Sequence, residues 1–271
     1  MTLPPPITSR SNARVKALRA GSAGDAANPG ELLAIEGENL IGEAMRSGVR
    51  IDTVFVRQGS EDVLQGPALA GLDAANWAVL SRDVFASALD TASPQGIAAL
   101  VRIPELVAMD FAKAAGVVLV VEALQDPGNL GTLLRSAEAF GVGQVFVTPD
   151  TVSRWNPKAV RASAGSVFRV PVVRAPLAQV KEFLAPFGYG LAAAVAQARD
   201  ATPVMDASLL APCALMIGNE GAGLSAAALA LADLRVNIPC AVESLNAAIA
   251  GSTLMYEALR QNLRRGAEGT A

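Results

Sequence analysis

The stretch GVVLVVEALQDPGNLGTLLRSAEAFG, residues 116–141, reads as a buried strand, a short loop and then a helix. Val117–Val121 is wholly apolar and mostly β-branched, the composition of a strand covered on both faces. Leu130, Leu133, Leu134 and Ala137 then recur at helical spacing, and Gly141 follows as a stop. Asn129 suits the cap of that helix, where its side chain would accept a backbone N–H. Asn129 and Arg135 are thereby placed beyond the carboxyl end of a buried strand, the rim at which open α/β sheets bind ligands.

The same alternation extends in both directions. Strand candidates follow at 145–148, 170–173, 191–195, 214–217 and 235–238, separated by helical patterns at 130–140, 157–163, 177–184, 225–231 and 245–263. Strands alternating with helices predict an α/β fold with a mostly parallel sheet and helices on both faces. Upstream, residues 32–45 read as a helix, and 53–57, 78–80 and 96–101 as strands; 59–71 is punctuated by Gly and Pro and reads as loop. The pattern breaks around 102–115, at Pro104, as a linker or a connecting helix would. Two domains are therefore expected, a small α/β unit over 1–107 and a larger one over 108–271. In the last helical segment, Leu245, Ile249, Ser252, Tyr256, Leu259 and Leu263 form the stripe expected to be buried. Ala247, Gly251, Leu254 and Ala258 form a small-residue face beside it. Gly251 costs about 1 kcal/mol against Ala inside a helix, so a closely approaching neighbour is expected there.

Composition removes several chemistries. The 271 residues contain no His, so His-based metal sites, Ser-His-Asp triads and His general bases are out. Two cysteines, Cys213 and Cys240, make neither a disulfide framework nor a metal set, and no bound metal is expected. Without a cationic partner in sequence, Cys240 reads as a buried thiol. No apolar run reaches the roughly 18 residues of a spanning helix, and the first residues lack the apolar core of a secretory signal. The expectation is a cytoplasmic protein with no membrane partner.

The net charge of −3 argues against nucleic acid, but its distribution does not. Residues 151–181 contain no acid and carry Arg154, Lys158, Arg161, Arg169, Arg174 and Lys181. Residues 1–24 also lack acids and carry Arg10, Arg14, Lys16 and Arg19. Such patches meet phosphates, although ordinary solvated faces have the same composition.

Two more loops follow predicted strands. GNEGAGLS (218–225) has glycines that let the backbone approach a ligand, with Ser225 placed to cap the next helix. It is neither a dinucleotide fingerprint nor a P-loop. IPCAVESLNA (238–247) leads into the last helix, which Ser244 or Asn246 could cap. For Arg135 two readings stand: a surface pair with Glu138, or a bidentate clamp on phosphate.

Taken together, DPGNLGTLLRSAEAFG (126–141), LMIGNEGAGLS (215–225) and IPCAVESLNAAIAGSTLMYE (238–257) resemble the three motifs of the SpoU/TrmH group of RNA ribose 2'-O-methyltransferases, within the SPOUT superfamily. KAVRASAGSVFRVPV (158–172), SNARVKALRA (11–20) and IEGENLIGEAM (35–45) extend the likeness over nearly the whole chain. The resemblance implies a C-terminal trefoil knot, a homodimer, S-adenosyl-L-methionine bound in the knot, and a small N-terminal RNA-binding domain. By position it assigns catalysis to Asn129, Arg135, Glu220, Ser244 and Asn246. Cofactor contacts fall on Thr148, Gly218, Asn219, Glu220, Gly223, Ile238, Leu245 and Asn246. RNA contacts are expected from Arg10, Arg14, Lys16, Arg135, Arg154, Lys158 and Arg161. The loop between Pro239 and Ser244 departs from the family in being shorter and lacking its Gly.

The activity implied is methylation of a ribose 2'-hydroxyl, in ribosomal more than transfer RNA. The alternatives are a transfer RNA enzyme, a non-catalytic RNA-binding protein of the same fold, and an unrelated α/β nucleotide-cofactor enzyme.

Overall fold

The computed structural model describes residues 4–24, 26–72, 77–91, 93–111, 116–196, 198 and 200–268. The chain divides into two compact units, Met1–Glu105 with Ser153–Phe168, and Leu106–Val152 with Arg169–Ala271. The linker expected over 102–115 runs into residues 112–115, which lie outside the described residues.

The first unit begins with α1 (Ala13–Ser22), β1 (Leu32–Glu36), α2 (Glu38–Arg46), β2 (Ile51–Arg57), β3 (Trp77–Leu80), α3 (Arg82–Ala88) and β4 (Ile97–Arg102). Its sheet has the order β1-β4-β2-β3, antiparallel except for the β2–β3 pair. Val15 and Leu18 of α1 and Val84 and Phe85 of α3 pack on Phe55, Leu80 and Leu100 of the sheet. The helix expected over 32–45 is corrected: Leu32–Glu36 pairs with β4 as a strand, and only Glu38–Arg46 is helical. Gly37, at φ +95° and crowded by the Gln95 side chain, separates the two. A five-residue apolar run does not distinguish a strand from a helical turn; pairing with β4 decides it. The 59–71 loop contains two 3₁₀ turns, Glu61–Gln65 and Pro67–Leu69.

The second unit carries β5 (Val117–Val121), α4 (Pro127–Ala139) and β6 (Gln144–Val147). The chain then contributes α5 (Pro157–Ala162) to the first unit, where buried Trp155 stacks on Phe168 and Pro157 packs against Gly24. It continues as β7 (Val172–Arg174), α6 (Leu177–Leu184), β8 (Gly190–Ala194), β9 (Thr202–Pro203), β10 (Cys213–Ile217), α7 (Ala226–Leu231), β11 (Leu234–Asn237) and α8 (Ala247–Glu268). The sheet order is β7-β6-β5-β10-β8-β11-β9, and every neighbouring pair is parallel. The two-residue β9 has no sequence signal of its own.

The last helix buries the opposite face from the one expected. Ala248, Gly251, Leu254, Met255 and Ala258 are buried, whereas Ile249, Tyr256 and Leu263 are 55–65% exposed. Both stripes have helical period, so spacing cannot choose between them. Close approach does: a Cβ on Gly251 would lie 2.4 Å from Leu133 Cδ2 of α4, so the small-residue face is the one that fits. Gly251 therefore has its close neighbour within the chain.

Candidate active site

At the carboxyl rim of β8, β10 and β11 lies a cavity of about 360 Å³. The sheet grows in opposite directions on either side of the β5–β10 pair, and β10 carries the glycine loop of the cavity. Ile217, Leu224, Leu229, Val236 and Ile238 supply its apolar surface, and Gly218–Gly223 and 243–245 its rim.

Gly218 is dictated by space. Its own Cβ would sit 2.2–2.3 Å from backbone atoms of Gly223 and Leu224, because the loop folds back on itself. Asn219 and Gly223 exchange backbone hydrogen bonds of 3.0 and 2.9 Å. The Asn219 side chain locks the turn, accepting from Gly221 and Ala222 N–H and donating to the Ala123 carbonyl. Ser225 caps α7 through the Ala228 N–H, as expected, and its hydroxyl also donates to Glu122.

Glu220 is the junction between loops. Its Oε1 accepts from the Asp126 N–H at 2.9 Å and from Asn129 Nδ2 at 3.0 Å, and its Oε2 from the Gln125 N–H at 3.2 Å. Asn246 Nδ2 in turn donates to Asn129 Oδ1 at 2.9 Å. Asn246 Oδ1 accepts the Ala248 and Ile249 N–H groups at the start of α8. The amide orientations are fixed by this chemistry. Backbone N–H groups claim the Asn246 oxygen, so its nitrogen faces Asn129; the Asn129 nitrogen must then face the carboxylate. Burial pushes the Glu220 carboxyl up, but the Asn129 amide and the backbone N–H groups of Asp126, Glu220 and Gln125 outweigh it. The group is held below its ordinary value, as an anion.

The loops thus bring Asn129, Glu220 and Asn246 into one chain of hydrogen bonds. Ser244, exposed, lines the cavity beside them, as do Gly218, Asn219, Gly223, Ile238 and Leu245. Three expectations change. Asn129 is not the helix cap: Asp126 is, its Oδ1 accepting the Asn129 N–H at 3.0 Å, which frees the Asn129 amide to bridge loops. Thr148 does not line the cavity; it is buried, its hydroxyl accepting the Ala123 N–H at 2.9 Å and contacting Thr151. Asn246 lies outside the lining too, with its amide turned to Asn129.

Arg135 is exposed on α4, and among the described residues nothing pairs with its guanidinium. The pair expected with Glu138 is absent because Arg169 takes that carboxylate with two nitrogens. Arg174 and Lys181 are likewise engaged internally, the first by loop carbonyls and the second by Asp233. Arg10, Arg14, Lys16, Lys158 and Arg161 are exposed on the first unit, and Arg154 lies 4.6 Å over the Trp155 ring.

The Ala194–Ala196 segment, which also lines the cavity, had no motif to announce it, and Glu243 lies inside the third loop but was not singled out there. The burial expected of the Cys240 thiol belongs instead to Cys213. Cys213 is the buried one, its thiol pushed up to about 12 by burial, whereas Cys240 is half-exposed at the cavity. One thiol per folded chain should react with an aromatic disulfide reagent, the second only after unfolding, and cofactor should slow the first. Equal reactivity of both in the folded protein would contradict this arrangement. Among the described residues no group of three or more His, Cys, Asp or Glu could hold a metal ion, and no helix is long and apolar enough to cross a membrane.

An open parallel sheet with a cavity at its carboxyl rim, bordered by a glycine loop and a network of polar side chains, defines an α/β enzyme of the small-molecule-cofactor class. Residues 116–256 match the SpoU rRNA methylase family, and residues 12–99 an MRM3-like substrate binding domain. The chain is 35% identical over 227 residues to the 23S rRNA (guanosine(2553)-2'-O)-methyltransferase RlmP of Bacillus subtilis (strain 168), covering 82% of this chain and 86% of that one. A crystal structure of an RNA 2'-O ribose methyltransferase superposes with TM-score 0.80 at 30% identity, covering 96% of this chain and all of the other. The SpoU methyltransferase AviRb from Streptomyces viridochromogenes, in complex with AdoMet, gives TM-score 0.75 at 27% identity, over 93% and 100% of the two chains.

The chain belongs to the SpoU family of S-adenosylmethionine-dependent RNA 2'-O-ribose methyltransferases.

Proposed function

We propose that this protein methylates a ribose 2'-hydroxyl of ribosomal RNA in the cytoplasm, as a homodimer. The observation that carries the reading is the hydrogen-bond chain from Glu220 through Asn129 to Asn246, which ties all three motif loops together at the mouth of the cavity. A ribosomal substrate is supported by the likeness to RlmP, named for 23S rRNA.

The cavity's residues fit S-adenosylmethionine. Its volume of about 360 Å³ is within the range of small-molecule sites. Among the described residues its lining includes the carboxylates Glu220 and Glu243 and no Lys or Arg, which suits a ligand of net positive charge. Gly218, Asn219, Gly223, Ile238 and Leu245 would hold it, largely through backbone. The C-terminal knot is part of this reading: β10 lies between β5 and β8, and the 238–246 loop joins β11 to α8.

When bound, S-adenosylmethionine supplies an electrophilic methyl group. Asn129 spends one N–H on Glu220 and one lone pair on Asn246, which leaves one donor and one acceptor for a ribose hydroxyl. Asn129 and Ser244 orient that hydroxyl, while Glu220 and Asn246 hold Asn129. Arg135 clamps an adjacent phosphate; a guanidinium has donors and no acceptor, so it is poorly suited to take the proton. Arg10, Arg14, Lys16, Arg154, Lys158 and Arg161 contact RNA backbone. Functionally, residues 1–107 form the RNA-binding domain and 108–271 the catalytic domain, with Ser153–Phe168 of the latter packed in the first unit.

Transfer of labelled methyl to 23S rRNA, with 2'-O-methyl nucleosides recovered after digestion, is the test. Incorporation into transfer RNA alone would move the substrate; none into either would defeat the reading. The homodimer is supported by exposed Ile249, Tyr256 and Leu263 on α8, with the Phe140 ring 5.8 Å from Tyr256. Tyr256→Glu should shift the light-scattering mass from dimer to monomer, and an unchanged dimer would place the interface elsewhere.

A further inference from the structure

We infer that Arg174 is a positioning residue for methyl transfer, acting as a clamp that holds the Asn129/Glu220 loop in register. The inference rests on the reading above, which puts that loop on the RNA side of the site.

Arg174, at the end of β7, does not meet an anion. Its Nη1 lies 3.0, 2.7 and 2.8 Å from the carbonyl oxygens of Thr148, Pro149 and Thr151, and its Nη2 lies 3.3 Å from that of Val152. A planar, always-charged fork thereby collects the carbonyls of one tight turn after β6. A lysine ammonium has donors for three of these carbonyls, but it lacks the second nitrogen that reaches Val152 and the rigid plane of the fork.

The clamped turn has no catalytic group of its own, but it is stitched to the loop that does. Thr148 Oγ1 accepts the Ala123 N–H at 2.9 Å, and the Val152 N–H donates to the Leu124 carbonyl at 2.9 Å. Gln125 Nε2 bridges the carbonyls of Ala123 and Asp150 at 3.0 and 2.8 Å. Ala123 has φ +53°, an uncommon conformation for a residue with a Cβ, which surrounding bonds must hold in place. Two and three residues further on, Gln125 and Asp126 donate their N–H groups to Glu220, and Asp126 caps the helix that carries Asn129. Arg174 therefore sits two hydrogen-bonded layers behind the Glu220–Asn129 pair. The cofactor cavity lies elsewhere, lined by residues 194–250, with neither Arg174 nor Thr148 in its wall.

This separation predicts a kinetic signature. Arg174→Ala should lower single-turnover methyl transfer about 10–100-fold at saturating RNA and cofactor, the cost of misplacing a group by about 1 Å. Its S-adenosylmethionine Kd by calorimetry should stay within about twofold. Arg174→Lys, which keeps a donor for the Thr148, Pro149 and Thr151 carbonyls but loses the Val152 contact and the fork's plane, should fall between wild type and Arg174→Ala. Amide hydrogen exchange should quicken at Gln125 and Asp126 and stay slow in β10. Thr148→Val cuts the same path at a different bond and should reproduce both effects, which keeps the test open if Arg174→Ala fails to fold. Wild-type transfer by either Arg174 variant, unchanged exchange at Gln125 and Asp126, or a cofactor Kd raised in proportion to the lost rate would overturn the inference. A wild-type protein that methylates no RNA would instead defeat the functional reading, and the exchange measurement would still judge the clamp.

Discussion

Gly218→Ala is expected to weaken S-adenosylmethionine binding roughly 100-fold, equivalent to about 3 kcal/mol. The added methyl would lie 2.2 Å from the Gly223 carbonyl carbon and 2.3 Å from its oxygen and from the Leu224 nitrogen. All three are backbone atoms, so no side-chain rotation relieves the overlap. Overpacking of this kind costs about 1–3 kcal/mol, and the upper end applies because the loop itself must open. Opening it breaks the paired hydrogen bonds between Asn219 and Gly223, which shape the cavity rim. The strand behind it is buried and well paired, so circular dichroism should still report a folded protein. Calorimetry giving a Kd within about threefold of wild type would show that the loop adapts without cost.

Asn129→Ala should cost about 10²–10³-fold in methyl transfer, the scale seen when a donor is removed from a preorganised site. Among the described residues, the substitution removes the one side chain hydrogen-bonded to the side chains of both Glu220 and Asn246. It leaves the Asn246 nitrogen without its acceptor and Glu220 without its side-chain donor, although the backbone N–H groups of Gln125 and Asp126 remain. Asn129→Asp tests the direction of the chain. An aspartate accepts from Asn246 but cannot donate to Glu220, and it sets two carboxylates against each other.

The pH dependence follows from the sign of the Glu220 shift. Because the folded carboxyl lies below its ordinary value of 4.5, its contribution is present above that pH and fades as pH falls through the lower folded value. Asp126, Glu122 and Glu243 are further acids of this rim. In Asn129→Asp the Glu220 carboxyl should titrate higher, and the acid limb of the rate profile should move upward. An acid limb that stays in place would separate Glu220 from the activity.

Much of the second unit was legible because its strands are continuous apolar runs and its helices have clean periodicity. Val117–Val121 and 214–217 read correctly as buried strands, and DPGNLG marked a helix start. Errors fell where two patterns shared one period or one composition. Leu32–Glu36 could have opened a helix until β4 paired with it. In α8 the larger apolar residues read as the core, yet Ile249 and Tyr256 face outward because Gly251 must approach Leu133. Asp126 and Asn129 are both good capping residues; the one nearer Pro127 took the role.

The sequence by itself determined the fold class, the family and the three loops that carry the chemistry, because apolar periodicity and local turn chemistry are properties of neighbours in the chain. Only the tertiary structure decided which atoms meet. Asn129, Glu220 and Asn246 join across 91 and 117 residues of sequence, and their amide orientations follow from backbone donors at the start of α8. It also moved Thr148 out of the cavity and turned Arg174 from a candidate for phosphate into a clamp on backbone carbonyls. Those assignments depend on hydrogen-bond distance and direction between remote segments, and no spacing within the chain encodes them.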